Sequence, residues 1–184
     1  MTTCTLSEIL DRRESRQEKR NILLDRYHET LISFHLNIPG PIKDKLLYKV
    51  TLIEGHKSLM TYMKSRRIHV IHDAIEFHNT GPEAVLIVQH DPKMMKRLLV
   101  SFEEEHPLGR LFDLDVYTKE GGISRSDLGL EERRCYVCND LAKACARSKR
   151  HDIKFVIRHI ERMMKTFHST ESQGEIQIHE GGRR

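Results

Sequence analysis

Two clusters in the chain carry residue types that could do chemistry. The first is the run His106-Pro-Leu-Gly-Arg-Leu-Phe-Asp-Leu-Asp-Val116. If Leu111 to Tyr117 is a strand, Asp113 and Asp115 share one face, while Phe112, Leu114 and Val116 point into a core. Two carboxylates at that spacing can hold Mg²⁺ against the phosphates of a substrate. Arg110 can pair with phosphate oxygens bidentately, and Gly109 leaves room for a ligand near the strand start. The competing reading is a strand with one wet acidic face, because D-x-D is short and frequent. The second cluster is Cys135-x-x-Cys138, followed by Cys145 and His151. Three thiols and an imidazole in the pattern C-x2-C-x6-C-x5-H can close a tetrahedral Zn²⁺ site. Packing is the alternative there, since Cys138 and Cys145 are seven apart and share a helix face.

Charge is uneven around these clusters. Ser101 to Glu132 holds nine acidic residues against three basic ones, and Arg133 to Arg150 holds six basic against one acidic. Such a juxtaposition could bind a metal–polyphosphate pair, although solvated charge is the plainer reading of most charge runs. Arg133, Arg134, Lys143, Arg147, Lys149 and Arg150 could grip a polyphosphate or an acidic protein. Lys43, in Pro39-Gly-Pro-Ile-Lys-Asp44, lies where a strand meets a helix, a place where lysine can meet phosphate at the helix N-terminus.

The elements that must position these residues follow from pattern. Ser7 to His28 reads as a helix whose Asp11–Arg20 section is charged or polar and therefore largely exposed. Thr30 to Leu36 reads as a strand ended by Asn37-Ile-Pro-Gly-Pro. Asp44 to Arg67 reads as a helix with Leu46, Leu47, Val50, Ile53, Leu59 and Met60 buried. Strands follow at Ile68–Phe77 and Glu83–Gln89, joined by the turn Asn79-Thr-Gly-Pro. Asp91 as N-cap and Pro92 at the first position start a helix that runs to about Glu105. Arg110 to Thr118 is the next strand. The order β-α-β-β-α-β from residue 30 to 118 predicts an α+β fold, the ferredoxin-like split βαβ core, with an N-terminal helix before it. A nucleotidyltransferase-like mixed sheet is the alternative. Residues 133–167 form a Cys-containing helical part, with a C-terminal helix pair at Asn139–Ser148 and Asp152–Phe167. Residues 1–168 then make one domain, and residues 169–184 a flexible tail.

Composition excludes several classes. With 184 residues, the chain can bury a core without disulfide or metal support. Trp is absent and aromatics are 6%, which argues against a carbohydrate-type aromatic platform. No apolar run approaches the roughly 20 residues of a membrane span. Met1 to Leu10 lacks the basic and apolar regions of a secretory signal. Four Cys do not make a disulfide scaffold, so the expected setting is reduced and cytoplasmic. A net charge of +4 is too mild to imply a nucleic-acid partner.

In order, Pro39-Gly-Pro-Ile-Lys-Asp44, Gly81-Pro-Glu83, His106 to Val116, Ile123-Ser-Arg125, Arg133-Arg-Cys-Tyr-Val-Cys138, Ala144-Cys-Ala-Arg147 and His151 resemble the apo-citrate lyase phosphoribosyl-dephospho-CoA transferase family. The resemblance spans roughly residues 38 to 151. It implies a nucleotidyl transfer. The donor is 2′-(5″-triphosphoribosyl)-3′-dephospho-CoA, the acceptor is a serine of the citrate lyase acyl carrier protein (γ subunit), and pyrophosphate leaves. Within it Asp113 and Asp115 would hold Mg²⁺, and one of them or His106 would accept the serine proton. Arg110, Lys43, Arg125, Arg134, Arg147 and Gly109 would meet the donor. Cys135, Cys138, Cys145 and His151 would hold a structural Zn²⁺. No Gly-Ser pair stands about ten residues before the D-x-D, which favours the ferredoxin-like fold over the nucleotidyltransferase one. Two other classes remain at this stage: a zinc-stapled module binding RNA or an acidic protein, and a metal-dependent phosphohydrolase using the same two aspartates.

Overall fold

Thr5 opens the first helix by a reciprocal capping box. Its hydroxyl accepts from the Glu8 amide at 3.2 Å, and the Glu8 carboxylate accepts from the Thr5 amide at 2.7 Å. Helix α1 (Leu6–Tyr27) runs until His28, whose left-handed φ of 55° ends it. There follow β1 (Thr30–Leu36), α2 (Leu46–Ser65), β2 (His69–His78), β3 (Gly81–Gln89) and α3 (Pro92–Glu105). The chain continues with β4 (Phe112–Thr118), β5 (Gly121–Ile123), α4 (Ala142–Ser148) and α5 (Ile153–Glu180). These elements come from a computed structural model that describes residues 3–138 and 140–180. Met1 and Thr2, Asn139 at the expected start of α4, and the end of the expected tail, 181–184, lie outside the described residues. Helix α5 continues past Phe167, where the sequence pattern ended it, to Glu180. No helix among the described residues is long and apolar enough to cross a membrane.

One five-stranded sheet has the order β2-β3-β1-β4-β5, and each pairing is antiparallel. The β4-β1-β3-β2 part, with α2 and α3 as crossovers, is the split β-α-β-β-α-β arrangement read from the sequence. The antiparallel pairings rule out the mixed sheet. Strand β5 adds a short edge beside β4. Alternation places Ile32, Phe34, Leu86, Val88, Leu114 and Val116 on one face, all fully buried against α2 and α3. Ile160 and Met164 of α5 close the same core. On the opposite face Leu23 and Leu24 of α1 pack with Leu31 and Ile87 in a second, smaller cluster. The sheet is thus covered on both sides, by apolar helices on one and by a mostly charged helix on the other.

Helix α2 presents a different stripe from the expected one. Tyr48, Leu52, Gly55, Leu59 and Met63 are buried, whereas Leu46 is 77% exposed and Val50 37%. Close approach decides the phase. A Cβ on Gly55 would lie 2.7 Å from the Phe112 ring and 3.1 Å from that of Phe34, so the glycine lets α2 seat on these aromatics. Polar Thr51 and His56 share the buried face, with partners in His168 at 3.0 Å and Asp73 at 2.7 Å.

Gly109 also acts through close approach. It begins a single 3₁₀ turn (Gly109–Leu111) before β4, and a Cβ there would lie 2.0 Å from the Glu103 carbonyl oxygen. The room expected for a ligand is filled by the end of α3. Gly109→Ala should therefore strain the α3–β4 connection by about 1–3 kcal/mol, the usual cost of overpacking. That is a fall of about 2–4 °C in melting temperature per kcal/mol for a chain of this length. A thermal melt equal to that of the wild type would show that the connection relaxes freely.

Candidate functional site

Strand alternation sends Asp113, Asp115 and Tyr117 to the face covered by α1, because Phe112, Leu114 and Val116 are committed to the core. Across the β1–β4 ladder His35 stands opposite Asp113 and Ser33 opposite Asp115. Ser33 Oγ and His35 Nε2 are 2.8 Å apart, and His35 Nδ1 lies 3.9 Å from the Glu83 carboxylate. These side chains form the floor beneath a helix whose facing stripe is Arg12, Arg16, Lys19 and Arg20. Arg12 pairs with Glu76 at 3.1 Å and also with Glu83, Arg16 pairs with Glu83 at 3.4 Å, and Lys19 pairs with Glu76. The Arg20 guanidinium sits 4.3 Å from the Tyr117 ring centroid.

A cleft of about 330 Å³ opens beside this floor. Asp113, His35, Arg13, Arg16 and Lys43 line it, with backbone from Gly40 and Gly81. Two segments far apart in sequence, residues 38–43 and 80–83, therefore meet Asp113 in one space. Lys43 donates to the Ile38 carbonyl, and burial pulls its pKa down. Burial also holds His35 far below a free histidine, at about 4, with the nearby Arg16 adding to the shift against Glu83 and Asp113. The carboxyl of Asp115 is pushed up by burial and by the charge of Asp113, partly offset by Lys96 and Arg133.

A buried ionic group behind β4 fixes the two aspartates. Leu114, which separates them, lies beyond the reach of β5, whose pairing begins at Val116. Its amide donates instead to Glu103 at 3.2 Å, and its carbonyl accepts from Lys96 Nζ at 2.6 Å. Both α3 side chains are nearly inaccessible, at 4% each. Lys96 is also 3.5 Å from Asp115. Arg133 bridges Glu103 and Asp113, each at 2.6 Å. Arg125 pairs with Glu103 too, so it serves this group and does not line the cleft.

His106 is placed elsewhere. Its ring packs among Phe102, Phe112 and Phe167, on the core side of the sheet and away from the carboxylate face. Its Nδ1 accepts from the Leu108 amide at 3.0 Å, and burial lowers its pKa. It is a packed cap after α3, which corrects the expectation of a catalytic base there. Arg110 also departs from the aspartates. Its side chain lies over the Tyr136 ring at 4.2 Å and donates to the Arg134 carbonyl. Arg134 pairs with Glu131 at 3.3 Å, and Arg147 is on the exposed side of α4, neither of them lining the cleft.

The ligand atoms of Cys135, Cys138, Cys145 and His151 gather within 4.8 Å of one another. Cys138 and Cys145 sulfurs are 3.4 Å apart, and His151 Nε2 is 3.3 Å from Cys138 Sγ. The Arg134–Leu141 bridge and the bond from Cys135 N to Asp140 O at 2.8 Å fold the first two cysteines into a tight knuckle. A second group among the described residues, Glu76, His78 and Glu83, has its carboxylates already matched by Arg12, Arg16 and Lys19.

The residues missed in the sequence are Arg13, Arg16, His35 and Glu83. A signal was present: Arg12, Arg16, Lys19, Leu23 and Tyr27 recur at three- and four-residue spacing, so the cationic stripe continues the apolar one.

A family model described as apo-citrate lyase phosphoribosyl-dephospho-CoA transferase matches residues 4–167. Proteins of that name from Escherichia coli and Shigella boydii serotype 18 are each 33% identical over 161 residues, covering 87% of this chain and 88% of theirs.

The His35 environment sets a pH dependence. Its folded pKa of about 4 lies below the ordinary 6.5. The unfolded chain therefore binds that proton first, and stability from this site is complete above pH 6.5 and is lost as pH falls toward 4. In His35→Gln this part of the acid sensitivity should vanish, changing the wild-type-minus-variant unfolding free energy by on the order of 2–3 kcal/mol across the window. Parallel pH profiles for the two proteins in denaturant titrations would show that His35 titrates as a free side chain.

Proposed function

The chain belongs to the apo-citrate lyase phosphoribosyl-dephospho-CoA transferase family and transfers phosphoribosyl-dephospho-CoA to apo-citrate lyase; from that premise we propose that the reaction runs on the β4 face carrying Asp113 and Asp115. The observation that supports this is that Asp113 and Asp115 share one face of β4 and Asp113 lines a cleft whose other charged side chains include Arg13, Arg16, Lys43 and Glu83. In this reading the donor is 2′-(5″-triphosphoribosyl)-3′-dephospho-CoA and the acceptor is a serine of the acyl carrier protein of citrate lyase. The serine oxygen bonds to the α-phosphorus, the bond to the pyrophosphate oxygen breaks, and the hydroxyl proton passes to a base.

Residues of this chain supply most of what the step needs. Arg13, Arg16 and Lys43 bind the triphosphate and hold the α-phosphorus in line with the entering oxygen. His35, kept neutral by burial and facing Asp113 across the ladder, is placed to take the proton in the role first given to His106. A divalent cation fits the aspartates, because both sit part-exposed on one face of β4 and offer the hard carboxylate oxygens that Mg²⁺ takes. Asp113 and Asp115 would hold Mg²⁺, which when bound offsets the charge developing on the leaving pyrophosphate. The Cys135–Cys138–Cys145–His151 group fits Zn²⁺. Tetrahedral bonds of about 2.3 Å to sulfur put ligand atoms about 3.8 Å apart, close to the separations here. Four protein ligands leave no open position, so that metal would be structural. Its thiols must stay reduced, which suits a cytoplasmic enzyme.

Asp113→Asn and Asp115→Asn should each abolish transfer, read as the mass gain of the intact carrier protein with donor and Mg²⁺ present. Asp115→Asn keeps a polar side chain beside buried Lys96, whose ammonium stays bonded to the Leu114 carbonyl, so the variant should remain folded in a thermal melt at neutral pH. Near-normal turnover in either variant would take that residue out of the metal role. For the second site, protein purified without chelator should carry close to one zinc per chain, and Cys145→Ser should lose it. Less than about a tenth of an equivalent in the wild type would eliminate the zinc site and leave the aspartate mechanism standing.

A further inference from the structure

A second and larger cavity, about 740 Å³, lies between the cysteine knuckle, α4 and the start of α5. Its volume is within the range of small-molecule sites, about 300–1,000 Å³. Tyr136, Pro39, Ile153 and Val156 make much of the wall, and the two cations on it are Arg110 and Lys149. Ile153 is 51% exposed, so part of that apolar wall is open to solvent. Arg110 Nη1 is buried and has no hydrogen-bond partner among the described residues. A guanidinium nitrogen in that condition is a donor waiting for an acceptor.

Asn37 lines both this cavity and the Asp113 cleft, and the Tyr136 hydroxyl donates to its carbonyl. The two spaces therefore adjoin across one stretch of chain, Asn37 to Gly40. The transferred group has the same two-part character. Its phosphoribosyl end is anionic, and its dephospho-CoA end joins an adenine and a long amide arm through a diphosphate. We propose that the cavity is the dephospho-CoA subsite. The adenine or the arm lies against Tyr136 and the apolar wall, and the linking diphosphate meets Arg110 and Lys149. Arg110 is then a ligand of the donor, but at the end away from the reacting phosphorus. The assignment rests on the transfer reading above.

Calorimetry on the full chain, with no carrier protein present, tests the subsite apart from the reaction. The probes are dephospho-CoA for the cavity and inorganic tripolyphosphate for the cleft. Ala146→Trp and Ile153→Trp fill the cavity from α4 and α5 at exposed positions that tolerate bulk. Each should weaken dephospho-CoA binding by about tenfold or more and leave tripolyphosphate binding unchanged. Unaltered dephospho-CoA affinity in both variants, or no binding to wild type at millimolar probe, overturns the subsite. So does a rise in the KM for the carrier protein with dephospho-CoA affinity intact, which would make the cavity a carrier-docking surface. If wild type binds both probes yet labels no carrier, the transfer reading fails while the cavity assignment stands.

Discussion

The outer face of the sheet carries Glu76, Glu83, Asp113 and Asp115, and an apolar helix could not cover it. Taking a carboxylate out of water costs several kcal/mol even after relaxation. A cation about 4 Å away returns roughly 4 kcal/mol at the effective dielectric of a partly buried pair. The terms nearly cancel, so the cover adds little net stability. Removing either side would leave uncompensated charge. This explains why α1 joins a cationic half, Arg12 to Arg20, to a short apolar half, Leu23 to Tyr27. The apolar half seats the helix on Leu31 and Ile87, and the cationic half holds the acidic floor at a depth where it can still meet a ligand.

The same economy governs the back of β4. A strand that must present two carboxylates two residues apart has to keep the intervening backbone still. Here buried Lys96 and Glu103 take both polar groups of Leu114, and Arg125 and Arg133 balance the charge of Glu103. Arg133 comes from the segment that leads into the cysteine knuckle and also reaches Asp113. The knuckle is thereby tied to the carboxylate face through one guanidinium, although its own sulfurs lie elsewhere.

Much of this was legible in the sequence where the signal is local. Asp91 caps α3 through the Met94 amide at 2.8 Å, as Asp-Pro predicts. Period-two alternation in Phe112 to Val116 correctly separated core residues from carboxylates, and the element order identified the sheet topology. Non-local packing was not legible. The phase of α2 depends on which rings Gly55 meets, and Gly109 on where α3 ends. His106 reads as a base beside D-x-D only until its aromatic neighbours, drawn from three elements, are known. The role of α1 was hidden because a charged helix looks solvated unless the opposing charge, some 60 to 100 residues away, is considered with it.

Strand β5 is only three residues long, and an edge left so short would ordinarily offer the backbone beyond it to any passing chain. At Leu114 that offer is withdrawn, because the groups a foreign strand would need are already taken by side chains of α3. A foreign strand therefore finds no free pair of backbone groups at that point of β4, and the long open edge of the sheet is β2, on the opposite side from the two aspartates.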